Sequence, residues 1–493
     1  MRDLTALADF GGTDADNDPL LLDCFEDHPS YMALRDRKRY VILGRKGSGK
    51  TAVYKRILRE YPTASGFNFS DYPWAHHSAQ KQAGVPEEQC FIQSWVYFCL
   101  VSLAKNVIRH ADIAGGARGS APALQHIKTF LKDTYGTTDP QPDRIFSPAS
   151  TLKFSPNFQI PTPLGTVGAG VESVPMSQLP RIANEVNAFI QNLLFTLIDR
   201  SSPTFLMFDQ LDQGFDPLSP DYKNRLNGLL LAAKSINEKA NEAGIPLCCA
   251  VFLRDDIYGM LQFEDKNKIT LNGSSIIRWD QRGVSVSGSG SSLKSLMEKR
   301  FSMVLNKSTP WGDVFDESQQ MTGKQTKYNY MKERTFLRPR DMIKFCNTVL
   351  SVHKIQSSDV DKFTNKDIIE AQNDYSEYLI NELDDEIHKN VPDYKKYLEV
   401  IRDIGYAQFS KDKFDETFEQ RRKSLGLTAS STDAMNSLFD FSIIGFQSVG
   451  GRRGGSDVVF KYKDEKATFS DRSALYRVHW GLRETLQLQL RRA

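Results

Sequence analysis

The sequence predicts an α/β fold, in which an αβα sandwich with a parallel sheet is followed by a helical lid and a winged-helix domain. Three apolar runs, residues 40–43, 205–208 and 245–253, have the length and composition of buried strands. Segments with apolar residues at helical spacing separate these runs, and such alternation is typical of a parallel sheet flanked by helices. Near the C-terminus, helical segments precede two strand-like segments, which is the order of elements in a winged helix.

A glycine-rich loop, GRKGSGKT, follows the first predicted strand. Its spacing is GxxxxGK[ST], and the segment after it has helical spacing. In this setting the backbone N–H groups of the loop turn towards phosphate oxygens, and the helix N-terminus adds positive potential. We predict that the Lys50 ammonium binds the β- and γ-phosphates and that the Thr51 hydroxyl binds Mg²⁺. The predicted phosphate-binding residues are Gly44, Arg45, Lys46, Gly47, Ser48, Gly49, Lys50 and Thr51.

The second predicted strand ends at an acidic residue, Asp209. A P-loop requires a second acid near Mg²⁺, placed at the end of a neighbouring buried strand. We therefore predict that Asp209 is the Walker B aspartate and a metal ligand. Gln210 stands where a catalytic Glu is usual, and Asp212 lies two residues further on. Two interpretations stay open: Asp212 polarises the attacking water, or Gln210 only orients it and turnover is slow.

Arginines at two further places are candidates for contact with phosphate. Arg254 ends the third predicted strand, where it could stabilise charge on a γ-phosphate. It could equally pair with the adjacent aspartates or with the acids near Asp209. Arg338 and Arg340 flank a proline at the start of a predicted helix. They are either phosphate sensors on the lid or a solvated, charged helix start.

The chain predicts three domains with one insert. Helices are predicted over residues 91–108 and 182–197, and the insert between them, about residues 111–180, contains loop-like segments such as PTPLGTVGAG. A serine- and glycine-rich stretch, residues 284–292, leads from the core to the lid. The predicted domains are the P-loop core over 1–285, the helical lid over 286–392 and the winged helix over 393–493.

The winged-helix region concentrates the positive charge of the chain. Residues 395–493 contain 18 Lys and Arg against 13 Asp and Glu. This domain binds either double-stranded DNA, as basic helix-turn-helix modules do, or a protein partner. The residues that could hold DNA phosphates are Arg421, Arg422, Lys423, Arg452 and Arg453. The predicted elements are helices over 394–401, 411–423 and 434–439, strands over 442–446 and 458–462, and a closing helix over 478–488.

The composition is that of an ordinary globular protein. The 493 residues are 40% hydrophobic and 25% charged, which excludes a disordered or collagen-like chain. A net charge of +2 gives no whole-molecule argument for nucleic acid, and the six scattered cysteines indicate neither a disulfide framework nor a zinc site. Because no signal peptide or apolar run of about 20 residues is present, we expect a soluble, cytoplasmic protein with no membrane partner. ATP is favoured over GTP, since no NKxD-type segment follows Asp209.

These motifs together resemble the AAA+/STAND side of the P-loop ATPases, with the Orc/Cdc6-like domain plan. The resemblance rests on the order GRKGSGKT, FLMFDQLD, LRDD and FLRPRD, followed by a winged helix. More narrowly, DFGGTDADNDPLLLDCFE, LFDFSIIGF and VHWGLRETL are similar to a group of bacterial P-loop ATPases labelled FunZ-like. The similarity is spread over nearly the whole chain, and the P-loop is its specific motif.

The resemblance implies a fold and a set of roles. The Walker A strand would be flanked by the sensor and Walker B strands, and ATP with Mg²⁺ would lie at the junction of core and lid. Arg254 matches the sensor-one arginine of STAND proteins, and Arg338 or Arg340 matches sensor two of the lid. Gln210 departs from the acid of many relatives, which argues against fast hydrolysis.

Further roles are implied for residues outside these motifs. Phe10 and Gly11 would lie against the adenine base. Arg300 would be either a trans-acting arginine finger in a homo-oligomer or part of a solvated helix face. Relatives of this type often occur beside genome-defence genes, which implies an antiviral role.

Two hypotheses for the function follow. In the first, the chain is an ATPase whose cycle moves the lid and winged helix and acts on DNA. In the second, it is a slow-hydrolysing nucleotide switch that assembles with a protein partner and does not act on DNA. The absence of a Glu after Asp209 favours the second.

Overall fold

The computed structural model describes most of the chain. The predicted linker up to residue 291, the basic pair Arg452 and Arg453, and parts of the insert lie outside the described residues. The described residues are 4–68, 87–114, 122–142, 145, 151–153, 160–162, 165–167, 173–175, 179–213, 219–280, 292–356, 361–388, 390–448 and 457–490.

The chain divides into two compact units. The first, called here the sheet unit, consists of His28–Arg45 and Lys50–Ile277. The second, called the lid–wing unit, consists of Met1–Asp27, Lys46–Gly49 and Arg278–Ala493. This division differs from the three predicted domains, because the first 27 residues belong with the C-terminal segments and not with the sheet.

The sheet unit alternates helices with strands, as predicted. Its helices are α1 (Pro29–Arg35), α2 (Lys50–Glu60), α3 (Glu87–Ala114), α4 (Pro122–Tyr135), α5 (Leu179–Leu197), α6 (Pro220–Glu242) and α7 (Asp255–Met260). Its strands are β1 (Val41–Leu43), β2 (Ser65–Asn68), β3 (Thr151–Lys153), β4 (Ile160–Thr162), β5 (Gly165–Val167), β6 (Ser173–Pro175), β7 (Thr204–Asp209), β8 (Leu247–Leu253) and β9 (Ser274–Ile276).

The central sheet has five parallel strands in the order β2-β7-β8-β1-β9. This confirms the predicted α/β class and the three predicted strands. The predicted neighbours of the Walker A strand are wrong in one respect: β1 lies between β8 and β9, and β8 separates it from β7. Every residue of β7 and β8 is buried, which explains their unbroken apolar sequences.

The core of this unit is built on α3, which packs against α5 and α6. Trp95 and Phe98 of α3 meet the ring of Phe208 edge-on or tilted, with centroids 5.6 and 6.0 Å away. Within the described residues, the segment Phe91–Ala111 is the one helix long and apolar enough to cross a membrane. Most of it (78%) is buried inside the unit, as in the core helix of a globular fold.

The insert contains more regular structure than its loop-like sequence predicts. Helix α4 lies in it, with an apolar face that packs against α5. The backbone also forms two small antiparallel pairs, β3 with β6 and β4 with β5. The expectation of loops and short turns is therefore wrong for α4, whose apolar residues recur at helical spacing.

The lid–wing unit is helical over most of its length and ends in a small sheet. Its helices are α8 (Leu293–Leu305), α9 (Trp311–Val314), α10 (Lys327–Lys332), α11 (Pro339–Ile355), α12 (Asn365–Ile387), α13 (Tyr394–Ile404), α14 (Lys411–Leu425) and α15 (Ser431–Asp440). Its strands are β10 (Gln408–Phe409), β11 (Ile444–Ser448), β12 (Asp457–Val459) and β13 (Tyr476–Val478).

The N-terminal segment packs into this unit, which corrects two expectations. The Phe10 ring is fully buried against Phe301 and Phe363, with centroids 4.9 and 6.2 Å away, so it does not face an adenine base. Arg300 is neither a finger nor a solvated residue. Its guanidinium is buried, donates to the Phe10 carbonyl at 2.9 Å and pairs with Asp18 at 2.5 Å. Asp18 also accepts from the N–H of Gly12, so these groups fix the N-terminal segment.

Helices α13–α15 and the four-stranded sheet β10-β13-β11-β12 form the predicted winged helix. Its three helices and the hairpin β11–β12 are close to their predicted places. The predicted closing helix over 478–488 is wrong. Its first residue, Val478, is the last residue of strand β13, in which buried Tyr476 and Val478 alternate with Arg477, and a short 3₁₀ turn, Trp480–Leu482, follows.

Two of the arginines predicted to hold DNA phosphates are paired within the described part of the winged helix. Arg421 lies 2.7 Å from Asp403, and Arg422 lies 2.7 Å from Glu419. Helix α15, which occupies the position of a recognition helix, has the sequence STDAMNSLFD and contains no Lys or Arg. Cationic side chains make the commonest specific contacts of a DNA-reading helix, and α15 offers only the exposed amide of Asn436 as a base-reading group of the amide class.

Candidate nucleotide-binding site

Lys50 begins α2 immediately after the glycine-rich loop that leaves β1. Its ammonium donates to the carbonyl oxygens of Gly44, at 2.7 Å, and Arg45, at 3.1 Å. Burial lowers the pKa of Lys50, while the nearby carboxylates of Asp212 and Asp209 raise it. An ammonium held by loop carbonyls at the start of a helix is suited to binding phosphate oxygens.

The tip of the loop depends on glycine for its backbone. Gly47 has φ +78° and Gly49 has φ +103°, a region that residues with a Cβ rarely adopt. At Gly47 an added Cβ would also lie 3.1 Å from the Cβ of Arg340, within the lid–wing unit. The motif glycines therefore satisfy both a backbone requirement and a close approach.

Asp209 ends β7, as predicted for a Walker B residue, and only 2% of its surface is exposed. Burial raises the pKa of this carboxyl, whereas hydrogen bonds from the Gln210 backbone and the Thr51 hydroxyl lower it. Within the described residues, its Oδ2 is buried without a hydrogen-bond partner. A buried carboxylate oxygen in this state, next to a hydroxyl, fits a Mg²⁺ ion, so Thr51 and Asp209 are the residues that would hold it.

Among the described residues, no group of three or more His, Cys, Asp or Glu side chains could hold a metal ion. The predicted pair of Thr51 and Asp209 is thus the candidate that the described part of the chain offers.

The structure brings Arg254 and Asp212 together. Arg254 follows β8 and binds Asp256 through two hydrogen bonds, of 3.0 and 2.6 Å, and its third nitrogen lies 3.7 Å from Asp212. The structure thus places Arg254 in an ion pair, and its contact with a γ-phosphate stays a prediction. Asp212 has a cationic neighbour in Arg254.

Gln210 occupies the position of the usual catalytic acid. Its backbone is left-handed, with φ +57°, and its side-chain oxygen accepts from the Gln213 amide at 2.8 Å. An amide has no proton-accepting capacity comparable with a carboxylate, so this residue can orient a water but not deprotonate it.

In the lid–wing unit, α11 and α12 carry charged residues beside the loop tip, Lys46–Gly49. Arg340 donates to the Thr13 carbonyl at 2.9 Å and pairs with Glu382 at 3.0 Å. Lys46 pairs with the same Glu382 at 3.5 Å and with Asp385 at 2.6 Å. Trp279 donates from its indole nitrogen to the Ser48 carbonyl at 2.9 Å. The tip is thus bonded to both the backbone and the acids of this unit.

The two lid arginines have different surroundings. Arg338 precedes α11, is 2% exposed and pairs with buried Glu386 at 2.6 Å. Burial opposes its charge, but the carboxylate of Glu386 raises the pKa of Arg338 above its ordinary value. Its prediction as a phosphate sensor is corrected, because the guanidinium is enclosed with its own counter-ion. Arg340, which lies against Gly47, is the sensor candidate that remains.

Sequence reasoning missed the acids that face the loop tip. Glu382 and Asp385 are three residues apart on α12, so both lie on one side of that helix. The acidic run NELDDEI was the available signal, but the pattern does not reveal that a P-loop lysine is its partner.

Three comparisons with known proteins bear on this arrangement. Residues 291–384 match the family described as the FunZ-associated C-terminal helical domain, which confirms that part of the resemblance for the region from α8 into α12. No curated protein matches the chain. A similar solved structure is that of Cdc6p from Pyrobaculum aerophilum, with 11% sequence identity, a TM-score of 0.31, and coverage of 92% of this chain and 88% of that chain.

Proposed function

We propose that this chain is an ATP-binding P-loop ATPase that works as a slow-hydrolysing nucleotide switch. The proposal is carried by one observation: partly buried Lys50 and Thr51 follow the loop after β1, and buried Asp209 ends β7 of the same parallel sheet, in the residue pattern of a P-loop. Backbone N–H groups of the loop and the Lys50 ammonium bind the phosphates. Mg²⁺, when bound, neutralises phosphate charge, and Thr51 with Asp209 would hold it.

Slow turnover follows from the residues next to Asp209. Gln210 can orient a water but cannot take its proton, and Asp212 is engaged with Arg254. Removal of a general base typically reduces a rate by about 10²–10⁴-fold. Such an enzyme keeps ATP bound long enough for the ATP-bound state to act as a signal.

The winged helix serves as a contact for a protein partner in this proposal. Support comes from α15, which has no cationic side chain, and from the internal pairing of Arg421 and Arg422. Assembly with a partner or with further copies of the chain then depends on ATP. An antiviral setting for such a switch rests on the FunZ-like resemblance.

Equilibrium binding of ATP with Mg²⁺ tests the nucleotide site. We expect wild type to bind, Lys50→Ala to bind at least about tenfold more weakly, and Asp209→Asn to lose the dependence on Mg²⁺. Arg59→Ala, an exposed position near the end of the same helix, is the matched control and should bind as wild type does. Equal binding by wild type and Lys50→Ala would exclude the P-loop as the site.

DNA-linked motor activity is the competing function, and turnover with double-stranded DNA distinguishes the two. A switch predicts the same slow turnover with and without DNA, together with a change of molecular mass when ATP is added. Turnover that rises several-fold with DNA would instead support a motor.

A further inference from the structure

A cavity lies inside the lid–wing unit, and no residue of the P-loop lines it. It has a volume of about 780 Å³ and is lined by residues 324–337, around α10, and by strands β12 and β13 with the segment after each. Pockets for small ligands typically measure about 300–1,000 Å³. The cavity is thus large enough for a nucleotide or a short oligonucleotide.

The cavity is lined by four Lys and Arg side chains and by three Asp and Glu side chains. Arg477, in the middle of β13, is the most enclosed of the four cations, and burial lowers the pKa of its guanidinium while Glu333 raises it. Lys332 is the last residue of α10, and Lys324 and Lys463 are exposed at the cavity mouth. A partly desolvated arginine with lysines around it attracts an anion, and phosphate is the anion that such groups bind well.

The acids of the cavity are already engaged by neighbouring donors. Asp280 accepts from the Tyr328 hydroxyl at 2.5 Å and from the N–H of Leu293 at 3.2 Å. Glu333 accepts from the Gln325 amide at 2.8 Å, and Asp464 accepts from the N–H of Lys466 at 3.0 Å. These hydrogen bonds disperse the negative charge, and the four cations outnumber the three acids.

Aromatic rings form another part of the lining. Trp480 is half-buried, and the Arg477 guanidinium lies 5.3 Å from the centre of its ring. Phe460 and Tyr462 are neighbours, with centroids 5.6 Å apart, and the Lys463 ammonium lies near both rings. Aromatic faces beside cations are the combination that binds nucleotides, because the base stacks on a ring while its phosphate meets the cation.

We propose that this cavity binds a short, phosphodiester-linked oligonucleotide. Arg477 and Lys332 bind phosphate oxygens, and one base stacks on Trp480. The proposal does not rest on the P-loop function, and it differs from contact between DNA and the recognition helix, since α15 does not line the cavity.

The probe is 5′-phosphorylated dithymidylate, titrated into the full chain by calorimetry and by tryptophan fluorescence. We expect saturable binding that quenches part of the emission, and we expect Trp480→Phe to remove that quenching. Arg477→Ala should weaken binding at least about tenfold, and Arg477→Lys should retain part of it. Arg472→Ala, an exposed cation of the same domain that does not line the cavity, is the matched control and should bind as wild type does.

Two further variants and a folding control complete the experiment. Lys50→Ala should bind the dinucleotide as wild type does, which separates this site from the P-loop. Thermal melting identifies any variant that fails to fold, and Lys332→Glu then provides an independent disruption at the surface of the cavity. The proposal is overturned by absence of binding, by binding that Arg477→Ala and Lys332→Glu leave unchanged, or by binding that requires a long single strand.

Discussion

The carboxylate of Glu382 pairs with two cations, Arg340 of the lid and Lys46 of the P-loop tip. It lies 3.0 Å from Arg340 and 3.5 Å from Lys46, and about a fifth of its side chain is exposed. Both cations are candidates for phosphate binding, so the carboxylate neutralises groups that ATP would otherwise engage. A phosphate must compete with Glu382 for them.

We therefore predict that Glu382→Gln increases ATP affinity. Loss of a partly exposed ion pair changes the free energy by about 1 kcal/mol, which corresponds to roughly fivefold in the dissociation constant. Asp385→Asn is the matched control, because it releases Lys46 alone and should give a smaller gain. A weaker affinity in Glu382→Gln would show that the acid positions the cations for phosphate and does not compete with it.

Gln210 gives a second prediction at the residue scale. Gln210→Glu supplies the missing general base, so we expect steady-state turnover to rise by at least about tenfold while ATP affinity stays similar. Gln487→Glu adds the same charge at an exposed glutamine whose backbone is also left-handed, and it should leave turnover unchanged. No increase in Gln210→Glu would mean that the proton acceptor is not what limits the rate.

The pair of Arg338 and Glu386 allows a prediction for stability. Both side chains are at most 4% exposed, so Glu386→Gln leaves a buried guanidinium without its counter-charge. We expect the free energy of unfolding, measured with urea, to fall by about 3–5 kcal/mol. Glu399→Gln removes the partner of Arg402 in an exposed pair and should cost less than about 1 kcal/mol. Equal losses in the two variants would contradict the structural role of Arg338.

At the scale of elements, the P-loop itself can be tested through its glycines. Gly47→Ala places a Cβ at φ +78° and 3.1 Å from Arg340, so we expect ATP affinity to fall at least about tenfold. Gly244→Ala has φ +65° with open space around it, and it lies in the turn after α6. It should lower stability by about 1 kcal/mol and leave ATP binding intact. A normal affinity for Gly47→Ala would show that this backbone conformation is not required.

The elements that sequence predicts well are those with a strong local signal. Strands β7 and β8 are unbroken apolar runs because both of their faces are covered, and the P-loop residues are fixed by one motif. The order of strands was not predictable, since β1 pairs with β9, a three-residue strand with little apolar character. Strand β13 was not recognised because its alternation spans only three residues.

The same distinction applies to the candidate site. Lys50, Thr51 and Asp209 are recognisable from spacing, because each is set next to a strand or helix end. The roles of Arg338 and Arg340 could not be told apart in FLRPRD, since only the fold determines that one faces Glu386 and the other Gly47. Arg300 was misjudged because its partner, Asp18, lies 282 residues away in sequence.

At the scale of the whole molecule, we propose that the chain holds ATP at the P-loop and that the ATP-bound state controls a partner. The first 27 residues belong with the lid and winged helix, and the loop tip Lys46–Gly49 belongs to that unit too. Nucleotide binding at the loop is therefore positioned to change the contacts of Lys46, Arg340 and Trp279.

The most direct test of the switch is a single-turnover measurement. Wild type is loaded with γ-labelled ATP and Mg²⁺, unbound nucleotide is removed, and the bound label is followed as ATP or released phosphate. We predict that most of the label stays as bound ATP for minutes, that Gln210→Glu converts it faster, and that Lys50→Ala retains almost none. Conversion within seconds by the wild type would contradict a slow switch, because the site would then be an efficient hydrolase without a carboxylate at position 210.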